Sequence, residues 1–223
     1  MRLNIILLVL ITLYANTTDD LKEKLESNLD ALMPKVIEWR HDIHQYPELG
    51  NREFRTSNKI KVHLESLGIE VESGIAYTGL VGLIRGGQPG PTIALRADMD
   101  ALPVEEKTGL PFASKVRTEY LGNDVGVMHA CGHDAHTSSL LGALKILNEL
   151  KADWEGTLKF IFQPAEEMLP GGAQQMIKEG VLENPKVNTI IGQHVFPELE
   201  KGKVGFCSGK YMASTDELHI SVK

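Results

Sequence analysis

Apolar residues recur along this chain with two alternating periods. Leu21, Leu25, Leu29, Leu32 and Val36 fall at helical spacing behind the capping residues Thr18 and Asp19, which predicts a helix with a kink or restart at Pro34. A second helix is predicted from about Arg52 to Leu67, with Phe54, Ile60, Leu64 and Leu67 on one face and Gly68 as its stop. Short apolar runs at Ile69–Val71, Leu80–Ile84 and Thr92–Arg96 read as strands, the last two separated by the turn-rich segment Gly86 to Pro91. Leu140, Leu141, Leu144 and Leu147 then mark a helix from about Thr137 to Leu150. A strand Thr157–Phe162, a helix Ala173–Glu179 stopped by Gly180, and strands Thr189–Gln193 and Lys203–Cys207 follow. Strands alternating with helices predict an α/β fold, a three-layer arrangement with helices on both faces of a sheet.

Both ends of the chain depart from this pattern. Arg2 precedes an unbroken apolar run, Ile5 to Leu13, and then Tyr14-Ala15 and a polar stretch, which reads as a signal peptide over residues 1–15 and predicts export to the periplasm or outside the cell. The run is short against the roughly 20 apolar residues of a transmembrane helix, and no cysteine lies near the cleavage point, so no stable membrane anchor is expected. Residues 16–212 are expected to form one domain. From Glu217 to Lys223 polar and apolar residues alternate as in a half-exposed strand, unlike the continuously apolar Thr189–Gln193, so residues 213–223 read as the first strand of a second domain at which the chain stops.

Composition narrows the function. With 30 acidic against 23 basic residues and no basic cluster, the chain carries no electrostatic footprint for nucleic acid or an anionic membrane, which leaves small-molecule or peptide chemistry. Its two cysteines, Cys131 and Cys207, permit one disulfide in an exported binding domain, but Cys131 sits among histidines where metal ligation competes.

The chemistry concentrates in His129-Ala130-Cys131-Gly132-His133-Asp134-Ala135-His136, a thiol, imidazoles and a carboxylate within one short segment. These are side-chain types that bind zinc-like ions. Cys131 and His133 flank Gly132 on a tight loop and can turn to one ion, whereas His129 and His136 read as supporting or helix-start residues. Further candidates follow predicted strands: Asp98 and Asp100 after Arg96, Glu166 and Glu167 after Phe162, and His194 after Gln193. Ligands of open α/β sheets gather beyond the carboxyl ends of strands, so these residues are expected along one edge. Adjacent Glu166 and Glu167 allow one carboxylate to bind metal while its neighbour moves a proton. A cysteine–histidine nucleophilic pair would have no use for Glu166, Glu167 and His194.

The segments His44-Gln45-Tyr46-Pro47-Glu48-Leu49-Gly50 with Glu53, Leu95 to Pro103, Met128 to His136, Phe162 to Glu167 and Gly192-Gln193-His194 resemble the M20 metallopeptidase superfamily, in the branch of N-acyl-amino-acid, hippurate and auxin-conjugate hydrolases. The resemblance implies a zinc-exopeptidase-like catalytic domain with two divalent ions per complete site, zinc or manganese ahead of cobalt or nickel. It matches Cys131, His133, Glu167 and His194 to metal ligands, Glu166 to the general base and Asp100 to an orienting acid. It implies hydrolysis of the amide bond of an N-acyl amino acid or dipeptide by an activated water. It further implies that the chain is the N-terminal portion of a longer protein with an inserted lid or dimerisation domain, the full-length form being able to homodimerise. The histidine carried in that insert and the family's last histidine ligand have no counterpart here, so the competing reading is a truncated, inactive metal-binding remnant.

Overall fold

The structure, a computed structural model, describes residues 2–210 and 212, with side chains from Leu21 onward. Its centre is a sheet of order β1-β2-β6-β3-β7, formed by Glu70–Ile75 (β1), Gly79–Arg85 (β2), Gln88–Asp98 (β3), Glu155–Gln163 (β6) and Thr189–Gly192 (β7). β1, β2 and β6 pair antiparallel, whereas β6, β3 and β7 run parallel. The carboxyl ends of those three parallel strands therefore share one edge.

Alternation along the strands builds one core on each face. Phe160 and Phe162 point to one side with Leu80, Ile84 and Ala97, where they meet Ile60 and Leu64 of α2 (Phe54–Ser66) and Leu140, Leu141 and Leu144 of α3 (His133–Glu149). Ile161, Val81 and Ala94 point to the other, against Met176 of α4 (Gly172–Lys178) and Val181. Each fully buried aromatic or branched side chain contributes about 1.5–3 kcal/mol. Lys159 lies on the α4 side and is buried; its ammonium donates to the carbonyls of Val181 (2.6 Å) and Pro185 (3.0 Å), tying down the segment between α4 and β7.

The predicted α/β architecture with helices on both faces is what the structure shows. Two local expectations need correction. The first helix, α1, spans Arg2–Gln45, so Thr18 and Asp19 lie within it and do not cap its start; it runs on through Pro34 as one element, its Leu32 and Val36 packed with Ile146 and Leu150. Among the described residues Lys203–Cys207 forms no strand, because none of them lies alongside to pair with it: Val204 and Phe206 are 90% and 91% exposed. A hairpin of Arg117–Tyr120 (β4) with Asn123–Gly126 (β5) was not expected. Residues 213–223, read as the first strand of a second domain, lie outside the described residues. Among the described residues no helix is long and apolar enough to cross a membrane.

Candidate metal centre

The parallel strands deliver the candidate residues to one place. β3 ends at Asp98 and leads to Asp100, β6 ends at Gln163 just before Glu166 and Glu167, and β7 ends at Gly192 just before His194. The fourth contribution comes from the start of α3. Gly132 precedes that helix with φ +84°, a left-handed conformation that glycine adopts without strain, and a Cβ there would lie 2.4 Å from the Val195 side chain. Glycine thus allows both the turn between Cys131 and His133 and the close approach of the His194 segment.

Donor atoms of Cys131, His133 and His194 all lie within 4.8 Å of one another, as do those of His133, Glu166 and Glu167. Cys131 Sγ is 3.4 Å from His194 Nε2, and His133 Nε2 is 3.8 Å from Glu167 Oε1 and 3.9 Å from Glu166 Oε2. Hydrogen bonds fix the imidazole tautomers. His133 Nδ1 donates to the Asp100 carbonyl (2.8 Å), and His194 Nδ1 to the Val195 carbonyl (2.7 Å), which leaves the Nε2 lone pair of each directed into the cluster.

Asp100 also holds Glu167, its Oδ2 accepting from the Glu167 N–H at 2.9 Å. His136 behaves differently from the other histidines. Its Nε2 accepts from the Val195 N–H (2.9 Å), so its Nδ1 carries the proton given to Asp98 Oδ1 (2.6 Å), and no lone pair remains for an ion. Asp98 is gripped a second time by Arg96 at 2.7 Å; although burial opposes its ionisation, His136 and Arg96 hold its carboxyl well below the usual carboxylate range. His129 is buried outside this cluster, and burial pushes its pKa down to about 4.

The donor set fits divalent cations. His133 Nε2 and Glu167 Oε1 are buried with no hydrogen-bond partner, an arrangement that costs free energy unless something completes it. Burial, reinforced by the neighbouring Glu167 carboxylate, pushes the Cys131 thiol up to about 12, so a thiolate here requires a neighbouring positive charge. Burial and the adjacent Glu167 charge raise Glu166, while burial tends to keep His133 neutral and the surrounding Asp100, Asp98 and Glu167 override it, raising its pKa. The excess of acids over cations is what a bound ion would relieve. Cys131 and Cys207 are both free thiols.

A second polar cluster lies behind the first turn of α3, and sequence reasoning gave its members no role. His44 Nδ1 meets Asp134 Oδ2 at 3.0 Å and His44 Nε2 meets Glu106 Oε1 at 3.1 Å, all three side chains being buried; Arg40 also donates to Asp134 at 3.0 Å. The density of polar residues where α1 ends was the available signal, but its partners lie far off in sequence.

The pattern of peptidase family M20/M25/M40 matches residues 94–221, and the chain belongs to that family. It is 41% identical over 201 residues to the N-acyl-L-amino acid amidohydrolase of Geobacillus stearothermophilus, which covers 90% of this chain and 52% of that protein. It is 44% identical over 194 residues to the N-acetylcysteine deacetylase of Bacillus subtilis, covering 86% of this chain and 48% of that one. Among solved structures it resembles the Bacillus subtilis YXEP protein, a dinuclear metal binding peptidase of the M20 family, at 44% identity and a TM-score of 0.68, covering 76% of this chain and 45% of that chain. The chain spans about half the length of the curated relatives it matches.

Proposed function

We propose that the whole protein is a metal-dependent amidohydrolase that cleaves the amide bond of N-acyl or aminoacyl amino acids. The observation that carries this reading is the pair of unpartnered, buried donors His133 Nε2 and Glu167 Oε1, 3.8 Å apart, with Glu166 beside them. Cys131, His133, Glu167 and His194 are the residues that would hold two divalent ions. Cys131, a soft thiolate ligand, favours zinc over manganese. When bound, the ions supply a Lewis acid for the scissile carbonyl and lower the pKa of a water toward neutrality.

The chain's own residues divide the remaining work. Glu166 takes the proton of the attacking water on its carboxylate and returns it to the leaving amine, a role that its partly exposed side chain beside His133 and Glu167 suits. Asp100 orients both His133, through its carbonyl, and Glu167, through Oδ2. Amidohydrolase and deacetylase relatives support a small substrate that carries an acyl group on an amino acid. The apolar run Ile5 to Leu13 supports export of the chain.

The test is hydrolysis of N-acetyl amino acids by the whole protein, followed as release of free amine. Activity is expected with zinc or manganese, to vanish on chelation and to return on metal addition. Stoichiometric metal binding without hydrolysis of any N-acyl amino acid or dipeptide would instead identify a non-catalytic metal-binding protein. A further expectation concerns His136, which holds the His194 segment through Val195. His136→Ala should weaken zinc binding about 10–100-fold, measured by competition with a chromophoric chelator. Unchanged affinity would remove His136 from the support of the site.

A further inference from the structure

We propose that Glu53 is a positioning residue for the Glu166–Glu167 turn, fixing the peptide that carries the general base; this rests on the roles of Glu166 and Glu167 proposed above. Glu53 is 0% exposed, and its carboxylate receives two hydrogen bonds, at Oε1 from the Ala165 N–H (2.8 Å) and at Oε2 from the Thr78 hydroxyl (2.5 Å). Ala165 immediately precedes Glu166 and has φ +48°, the left-handed region that a residue with a Cβ occupies only when its surroundings impose it. The N–H of Glu167 is held by Asp100 Oδ2 at 2.9 Å. Glu166 therefore sits between two peptide N–H groups, each fixed by a buried carboxylate.

The position of Glu53 on its own helix sharpens the inference. It is the N-cap residue of α2, where an acidic side chain ordinarily accepts from the helix's free N–H groups, yet it makes no such bond. Glu48 does that work instead, its carboxylate accepting from the N–H groups of Arg55 (2.9 Å) and Thr56 (2.8 Å). Glu53 is thus released to reach a turn 112 residues further along the chain. Its second partner, Thr78, closes the turn between β1 and β2, where Ala76 and Tyr77 are also left-handed (φ +47° and +76°), and the Ala76 N–H is held by Glu179 at 3.0 Å. A constrained hairpin thereby braces the carboxylate that braces the catalytic turn.

The experiment compares metal-loaded variants of the whole protein on an N-acetyl amino acid, and reads the visible absorption of the cobalt(II)-substituted forms, which reports the geometry at Glu167 without turnover. Glu53→Ala is expected to lower kcat about 10–100-fold with little change in KM, and to alter the cobalt spectrum. Glu53→Gln should restore both, because its amide oxygen can accept from Ala165 and its NH₂ can donate to the Thr78 hydroxyl. A folded Glu53→Ala with the unchanged cobalt spectrum and kcat overturns the proposal, as does a Glu53→Gln as impaired as Glu53→Ala. Should Glu53→Ala fail to fold, Thr78→Val removes only the brace; a smaller kcat loss at constant KM supports the proposal and an unchanged kcat overturns it. Glu166→Gln in the same assay separates the two readings. If it keeps full turnover the base assignment fails, whereas an inactive Glu166→Gln beside a wild-type Glu53→Ala removes only the role of Glu53.

Discussion

Glu166→Gln in the whole protein should lower kcat about 10²–10⁴-fold while leaving metal content near that of the wild type. The two adjacent acids are placed differently. Glu167 is tied through its N–H to Asp100 and presents a buried, unpartnered oxygen toward His133, as a ligand would. The Glu166 side chain is 41% exposed, open to water and substrate, with its carboxyl raised above the ordinary 4.5 by burial and by the Glu167 charge. The amide keeps the shape of the side chain and removes only its ability to take a proton. Metal analysis beside kinetics decides the assignment: a Glu166→Gln that loses metal while Glu167→Gln keeps it would exchange the two roles.

His44→Ala is expected to cost about 3–5 kcal/mol of folding stability near pH 6, the range for removing one partner of a buried ion pair. Both ring nitrogens of His44 lie within hydrogen-bond distance of carboxylates, and carboxylates only accept, so the ring must be the imidazolium to satisfy both. The hydrogen bond to Asp134, partly opposed by burial and aided by Glu106, raises its pKa above 6.5. Because the folded value exceeds the unfolded one, this contribution is complete below pH 6.5 and is lost as pH rises through the folded value. Asp134 and Glu106 are shifted below their ordinary values of 3.8 and 4.5, so their contributions fade as pH falls beneath those values. Urea unfolding of wild type and His44→Ala should therefore differ most between about pH 5 and 6.5 and converge toward pH 9. A difference that stays flat from pH 6 to 9 would show that His44 is not charged in the folded protein.

Elements were legible where burial imposes a period. Phe160-Ile161-Phe162, with a core on each side, could be nothing but an interior strand, and Leu140, Leu141 and Leu144 could only line one helix face. The β4–β5 hairpin was not legible because its short strands are polar and largely exposed, so no apolar alternation marks them. Lys203–Cys207 has the opposite character. Its alternation satisfies the pattern of a strand, but a strand also needs a neighbour for its N–H and C=O groups, and among the described residues none is supplied.

The site divides along the same physical line. Residue type singled out Cys131 and His133 on the loop before α3, and residue type with position after a strand singled out Glu166, Glu167 and His194, because parallel strands bring their carboxyl ends to one edge whatever the details of packing. What sequence by itself could not determine is how these groups are held. The bonds from Glu53 to Ala165, His44 to Asp134 and Glu106, and His136 to Val195 link residues far apart in the chain. Their partners are chosen by the stacking of α1, α2 and α3 on the sheet, and a hydrogen bond acts over about 3 Å. Local periodicity thus decided which groups face the site edge, and only the tertiary packing decided which ring nitrogen keeps its lone pair and which of the two adjacent acids is buried and which reaches solvent.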